Sequence, residues 1–374
     1  MIKDNERNKS TARPYFHPTF GSRPQSIVGR DQEIEEFLEG LKEPIGSHNR
    51  CTFFKGQRGM GKTALLLELA DRAQALDYVV ARVTAYSGME EDIIETIQLN
   101  GAKYIKDKPS VQGFEAGAFG FNFGLTFTDE ADRQYGFRTK LTLLCDKLAE
   151  AGKGILILVD EARTSDEMRK LAVTYQHLVG EEKNIAIAMA GLPQAVSSLL
   201  NDEVLTFLNR AKKVELEPIS DNEVDIYYKR AFTDMGISFS DNDIACLTEK
   251  THGFPYLMQL IGYYITKSLG SDRKITGEII NTAVAYSAKD MEQNVFEPIL
   301  APLSEIDIQF LRAMAEDTGS SKTADIYKRM QKSNSFIQTY RARLIEAGLI
   351  VPVRKGEVAL TVPELAGYLK KRNA

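Results

Sequence analysis

Eight residues near the start of the chain, GQRGMGKT at positions 56–63, fit the pattern G-x-x-x-x-G-K-[ST] without a mismatch. The chemistry such a string can perform is the holding of a triphosphate. Gly56, Gly59 and Gly61 carry no Cβ, so the backbone can wrap until the amides of Gln57, Arg58, Gly59, Met60 and Gly61 point at phosphate oxygens. A helix expected to open at Lys62 adds the positive end of its dipole. Lys62 is expected to reach the β and γ phosphates as a point charge, and the Thr63 hydroxyl to ligate magnesium. A glycine turn with a solvent-facing lysine would account for neither the apolar strand before the loop nor the strong helix former after it.

Magnesium bound to phosphate needs a carboxylate nearby. Asp160 and Glu161 follow ILILV, the most apolar strand in the sequence, at the edge of a parallel sheet where ligands bind. Asp160 is expected to hold the metal, directly or through water. Glu161, one residue on, is expected to polarise the water that attacks the γ phosphate. Other metal chemistry has no support: three cysteines and four histidines are scattered, with neither zinc-ligand nor disulfide spacing.

The elements that must position these groups alternate. Strands are expected at 51–55, 78–84, 155–159, 184–190 and 213–216. Helices are expected from about 31, then at 62–75, 90–105, 138–149 and 164–179. This rhythm argues for an α/β domain with a parallel sheet. Residues 111–128 break it, with Phe119, Phe121, Phe123, Leu125 and Phe127 two apart, the period of a strand or hairpin. That hairpin would pack on its own domain or project towards a partner.

After residue 218 only helices are expected, at 221–235, 241–250, 254–269 and 276–296, with Pro298 and Pro302 marking the exit. Helices at 305–315, 323–330 and 335–347, followed by VPVR and EVALT around a Lys355-Gly356 turn, have the order of a winged helix-turn-helix. Phe336, Tyr340 and Leu344 are expected to face its core, leaving Ser335, Gln338, Arg341 and Arg343 outward, with Arg354 and Lys355 at the wing. Those groups could reach DNA base edges or phosphates. The formal charge of the whole chain is −5, yet residues 301–374 hold 12 Lys+Arg against 8 Asp+Glu. Any nucleic-acid attraction is therefore concentrated at that end. No run approaches the ~20 apolar residues of a membrane helix. The opening MIKDNERNKS also lacks the apolar centre of a secretory signal, so a cytoplasmic location and no membrane partner are expected.

With these residues placed, the chain resembles the AAA+ ATPases, nearest to their origin-recognition and archaeal-ATPase-like branch, related to the STAND group, over about residues 27–370. IVGRDQEI resembles the family's box before the first strand, which implies that Val28 and Gly29 lie near the adenine. FKGQRGMGKT resembles the Walker A element and ILILVDEA the Walker B element. FLNRAKKVELEPIS resembles the element that carries an arginine finger into a neighbouring subunit, which implies a catalytic role for Arg210 and self-association through the nucleotide-site edge. THGFPYLMQLIGYYI resembles the sensor 2 region that opens the lid, with Tyr256 where many relatives carry arginine. The fourth strand, IAIAMAGLP, departs from the family in having no polar sensor 1 residue.

The resemblance implies a P-loop NTPase three-layer sandwich at 27–218, a helical lid domain at 219–300 and a winged helix domain at 301–374, preceded by a flexible lead-in at 1–26. It implies ATP or ADP with Mg2+ as the bound cofactors, and duplex DNA as a partner. Two other readings stay open: a nucleotide-gated signalling switch whose winged helix contacts a partner protein, and a helper ATPase of transposition or recombination.

Overall fold

The computed structural model describes residues 14–19, 27–104 and 136–372. The Phe-rich string at 111–128 lies outside the described residues. The described residues divide into two compact units: residues 32–56 with 65–104 and 136–216, and residues 57–64 with 217–372 and the described part of 1–31.

The first unit contains most of α1 (Asp31–Lys42) and, from residue 65, of α2 (Lys62–Gln74), in the alternating order β1 (Cys51–Lys55), α2, β2 (Tyr78–Thr84), α3 (Met89–Gly101), α4 (Phe137–Glu150), β3 (Gly154–Asp160), α5 (Asp166–Gly180), β4 (Ile185–Gly191), α6 (Pro193–Leu200) and β5 (Lys212–Glu215). All five strands are parallel, in the order β2-β3-β4-β1-β5. β3 and β4 are buried at every position, as strands covered on both faces must be. Phe53, Ile155, Ile157, Ile187 and Met189 share one core with Ile93, Leu144, Leu171 and Val196 from α3 to α6. On the opposite face, Phe54 meets Phe37 of α1 with ring centroids 6.1 Å apart. Helix, sheet and helix form the expected three layers. The helix α6 had not been expected; its signal is Pro193 at the first helical turn, a position where the missing N–H costs nothing.

In the second unit, α7 (Asp221–Asp234), α8 (Asp241–Thr251), α9 (Pro255–Ser268) and α10 (Gly277–Met291) form the helical part. Ser220 and Ser240 open α7 and α8 with reciprocal capping boxes. A π turn over Glu292–Phe296 leads into α11 (Glu297–Leu300), so Pro298 sits in a first helical turn instead of ending the chain's helical run. The C-terminal part runs α12 (Glu305–Ala315), β6 (Ser320–Lys322), α13 (Thr323–Met330), α14 (Asn334–Glu346), β7 (Ile350–Arg354), β8 (Glu357–Leu360) and α15 (Leu365–Lys371), with an antiparallel sheet ordered β6-β8-β7.

Two expectations need correction. Within the lead-in, residues 14–19 are docked against the helical part: Phe16 is only 4% exposed, wedged among Tyr227, Tyr228 and Phe232. Tyr227 Oη donates to the Tyr15 carbonyl at 2.7 Å, and the His17 amide donates to Gln259 at 3.1 Å. On α14 the buried stripe is Ile337 and Leu344, seven residues apart, whereas Phe336 and Tyr340 are half-buried and pack on each other at 4.9 Å. Two rings are bulky enough to satisfy one another at the margin of a small core.

Candidate nucleotide site

The phosphate-loop motif begins where β1 is held on both sides. The Gly56 amide donates to the Gly191 carbonyl at 3.2 Å, and the Leu216 amide donates to the Lys55 carbonyl at 2.7 Å. Gly56 therefore continues the sheet. The left-handed backbone falls on Gly59 (φ 80°) and Gly61 (φ 79°), where a side chain would be strained. Met60 N–H donates to the Gln57 carbonyl at 3.3 Å to close the turn. α2 then opens at Lys62, which sets its positive dipole end at the loop. Lys62 is 7% exposed, and its Nζ donates to the Gln57 carbonyl at 2.9 Å, so the ammonium lies across the loop it would serve. Thr63 and Gln57 are half-buried and Arg58 is exposed. Gln57 Oε1 is buried and has no hydrogen-bond partner among the described residues, an orphaned polar atom within the loop itself. Amide donors, one ammonium and one hydroxyl, with no carboxylate among them, are a donor set suited to a polyanion and its metal.

The acid pair sits at the carboxyl edge of the sheet. Val159 is level with Met189, and Met189 with Phe53, so β3 and β1 end at the same edge with β4 between them. Two strand spacings put those ends about 10 Å apart. Asp160 is 8% exposed, and one of its carboxylate oxygens accepts the Glu161 amide at 2.9 Å. Its carbonyl accepts the Ala85 amide at 3.0 Å, while the Ala162 amide donates to Ala190 at 2.8 Å. Glu161 is clamped between those bonds in a left-handed conformation (φ 53°) with an exposed side chain. A non-glycine residue in that region costs on the order of 1–3 kcal/mol and persists where surrounding structure imposes it. Thr84 is the register partner of Asp160 and is exposed. At the end of β4, Ala190 and Gly191 offer no side-chain hydroxyl or amide.

Val28 and Gly29 are half-buried, and Gly29 (φ 64°) lies so close to Ile219 and Glu223 that a Cβ would come within 2.9 Å of each. Arg30 fixes that box by donating to the Glu217 carbonyl at 2.5 Å. Tyr256 is half-buried in the first turn of α9, where burial, reinforced by the Asp290 carboxylate, pushes its phenol up. Arg210 ends a 3-10 turn, Thr206–Arg210, and is exposed, with no ion pair to it among the described residues.

The C-terminal candidates divide. Ser335 and Gln338 are exposed, and Gln338 donates to Tyr327 at 2.6 Å; Arg341 is half-buried and Lys355 exposed at the turn. Arg343, expected to point outward for DNA, instead pairs at 2.7 Å with Asp307, which is wholly buried. Arg354 is similarly paired with Glu357. Neither partner was evident from the sequence, because each depends on the tertiary fold or on the strand turn. No helix among the described residues is long and apolar enough to cross a membrane.

Among solved structures, the Walker-type ATPase of Pyrococcus abyssi superposes with a TM-score of 0.67 at 17% identity, over 96% of this chain and 98% of that one. The Aeropyrum pernix ORC2 protein, solved with ADPNP and ADP, gives 0.62 at 14% identity, over 95% and 97%. Cdc6p of Pyrobaculum aerophilum gives 0.52 at 15% identity, over 95% and 97%. An uncharacterised HTH-type transcriptional regulator of Methanocaldococcus jannaschii is 22% identical over 372 residues, covering 92% of this chain and 88% of that protein. A family model described as a domain of unknown function, DUF8462, matches residues 293–369.

Proposed function

From a chain that has the AAA+ P-loop ATPase fold, consistent with the origin-recognition-like branch, we propose a nucleotide-dependent ATPase that acts on or near DNA. The observation that carries this reading is the phosphate loop: a buried strand, two left-handed glycines, and a helix opening at a nearly buried lysine. The amides of residues 57–61 and the Lys62 ammonium would cradle the triphosphate. Thr63 and Asp160 would hold the magnesium, which withdraws charge from the γ phosphate when bound. Glu161, turned out of the strand by its left-handed backbone, would accept a proton from the attacking water. Val28 and Gly29 would border the base, Tyr256 would stand at the lid position from which an arginine would reach the γ phosphate, and Arg210 of one copy would enter the site of the next.

For the C-terminal part we propose a winged helix, because its order of helices and strands is that of the fold. Ser335, Gln338, Arg341 and Lys355 are its candidate DNA contacts. The relative named as an HTH-type regulator supports that assignment. With Arg343 and Arg354 already paired, Arg341 and Lys355 are the candidate cations left for phosphates, and DNA affinity should fall with salt on a slope of only about −2. Fluorescence anisotropy with duplex DNA and ATP across a salt series tests this. Absence of binding at low salt would favour the second reading, a nucleotide-gated switch with a protein partner. Ala190 and Gly191 at the sensor strand and Tyr256 in the lid support that alternative, since both suit slow turnover.

A further inference from the structure

The two left-handed glycines of the phosphate loop have apolar neighbours from the start of α9. After α8 the chain turns through His252 (φ 50°) and Gly253 (φ 64°). A Cβ on Gly253 would lie 2.3 Å from the Ile219 carbonyl oxygen, so only glycine fits this turn. It delivers Phe254, whose amide donates to the Thr251 carbonyl at 2.8 Å and whose carbonyl accepts the first helical amide bond, from Met258, at 2.9 Å. The Phe254 ring is 1% exposed. Its edge rests on Gly59: a Cβ built there would fall 2.1 Å from Cζ and 2.7 Å from Cε1. The next residue, Pro255, stands 3.9 Å from the corresponding position on Gly61. Two adjacent residues of the helical part thus lie against one side of the two glycines on which the loop turns, Gly59 staying exposed on the other.

A glycine peptide is the segment of a phosphate loop most free to rotate, and its rotation takes the amide away from the anion. A buried ring against Gly59 removes that freedom and keeps water from one side of the loop, which strengthens the remaining polar contacts. Nothing about the string GFP announces this, because the contact joins residues 195 positions apart.

We propose that Phe254 is a positioning residue of the nucleotide site: its ring holds the Gly59 peptide in the anion-cradling conformation. Helix α9 is thereby coupled to the bound triphosphate through packing, where Tyr256 supplies no charge. This rests on the nucleotide reading above. It adds a specific coupling, between the ring at 254 and the backbone at 59, that the motif does not contain.

The test is a double-substitution cycle on the full chain, read as Kd and dissociation rate of a fluorescent ATP analogue with magnesium, with thermal melts confirming folded protein. Gly59→Ala should weaken binding at least 100-fold when Phe254 is present. In the Phe254→Leu background, which keeps an apolar core but removes Cζ, the same change should cost no more than about 10-fold. The strain of alanine at φ 80° is common to both backgrounds and cancels. Phe254→Leu alone should speed nucleotide dissociation several-fold, and an unchanged dissociation rate would overturn the positioning role. Equal factors for Gly59→Ala in both backgrounds would overturn the coupling while leaving nucleotide binding intact. Failure of the unsubstituted protein to bind the analogue would overturn the nucleotide reading itself, and the coupling with it.

Discussion

The Glu161 carboxylate and the Arg343 guanidinium show how differently two charged residues can be used. Glu161 is exposed beside a left-handed backbone at the end of a buried strand, held by hydrogen bonds of its neighbours, not by its own side chain. Glu161→Gln should therefore leave nucleotide affinity within about threefold and lower the hydrolysis rate at least 100-fold, the scale of losing a general base; steady-state phosphate release checks this. Arg343 instead neutralises Asp307, whose other carboxylate oxygen is buried with no hydrogen-bond partner among the described residues. Arg343→Ala should cost roughly 2 kcal/mol of stability, since it strips a charged hydrogen bond from a buried acid. Chemical denaturation would detect that loss, and an unchanged midpoint would return Arg343 to the pool of free DNA-facing cations.

At the scale of elements, the strands and helices of the α/β unit were legible because their patterns are local: ILILV reads as a strand covered on both faces, and the glycine loop reads as a turn between strand and helix. The acid pair followed from the same logic, since a carboxylate at that strand end has a defined neighbour. What stayed hidden depends on distant partners. Phe16 sits in a string dense in proline and serine with no periodicity, yet its ring packs so closely on α9 that a Cβ on Gly262 would lie 2.2 Å away. Phe16→Ala should destabilise the helical part by about 3–5 kcal/mol, as deletion of a buried aromatic does, visible as a lowered Tm. If Tm is unchanged, residues 14–19 contribute nothing to the fold. Similarly, of the expected stripe of Phe336, Tyr340 and Leu344 on α14, Leu344 is buried but its partner in the core is Ile337 and not Phe336 or Tyr340, because helical spacing alone fits Ile337 and Leu344 equally well. The ion pair of Asp317 with Arg329 belongs to the same class. Arg329 hydrogen bonding holds that carboxyl below its ordinary value. Its stabilisation is present above the unfolded carboxylate range near pH ~4 and fades as pH falls through the lower folded value. Asp317→Asn should therefore lower stability at neutral pH and have little effect near pH 2.

For the whole molecule, the fold is that of the AAA+ ATPases, whereas the choice between DNA-acting ATPase and signalling switch turns on hydrolysis and on what the C-terminal part contacts. In the proposed reading, Arg210 is the residue that one copy would contribute to the site of the next. Arg210→Ala should preserve ATP affinity and lower turnover only at protein concentrations where copies associate; an equal loss in dilute protein would remove its proposed role in trans. All of these readings require that residues 56–63 hold a triphosphate. Isothermal titration of the full chain with ATP and magnesium, beside Lys62→Ala, tests this most directly. One site per chain is expected, weakened at least 100-fold by the substitution. Affinity unchanged by loss of the lysine, or no binding to the parent chain, would contradict it.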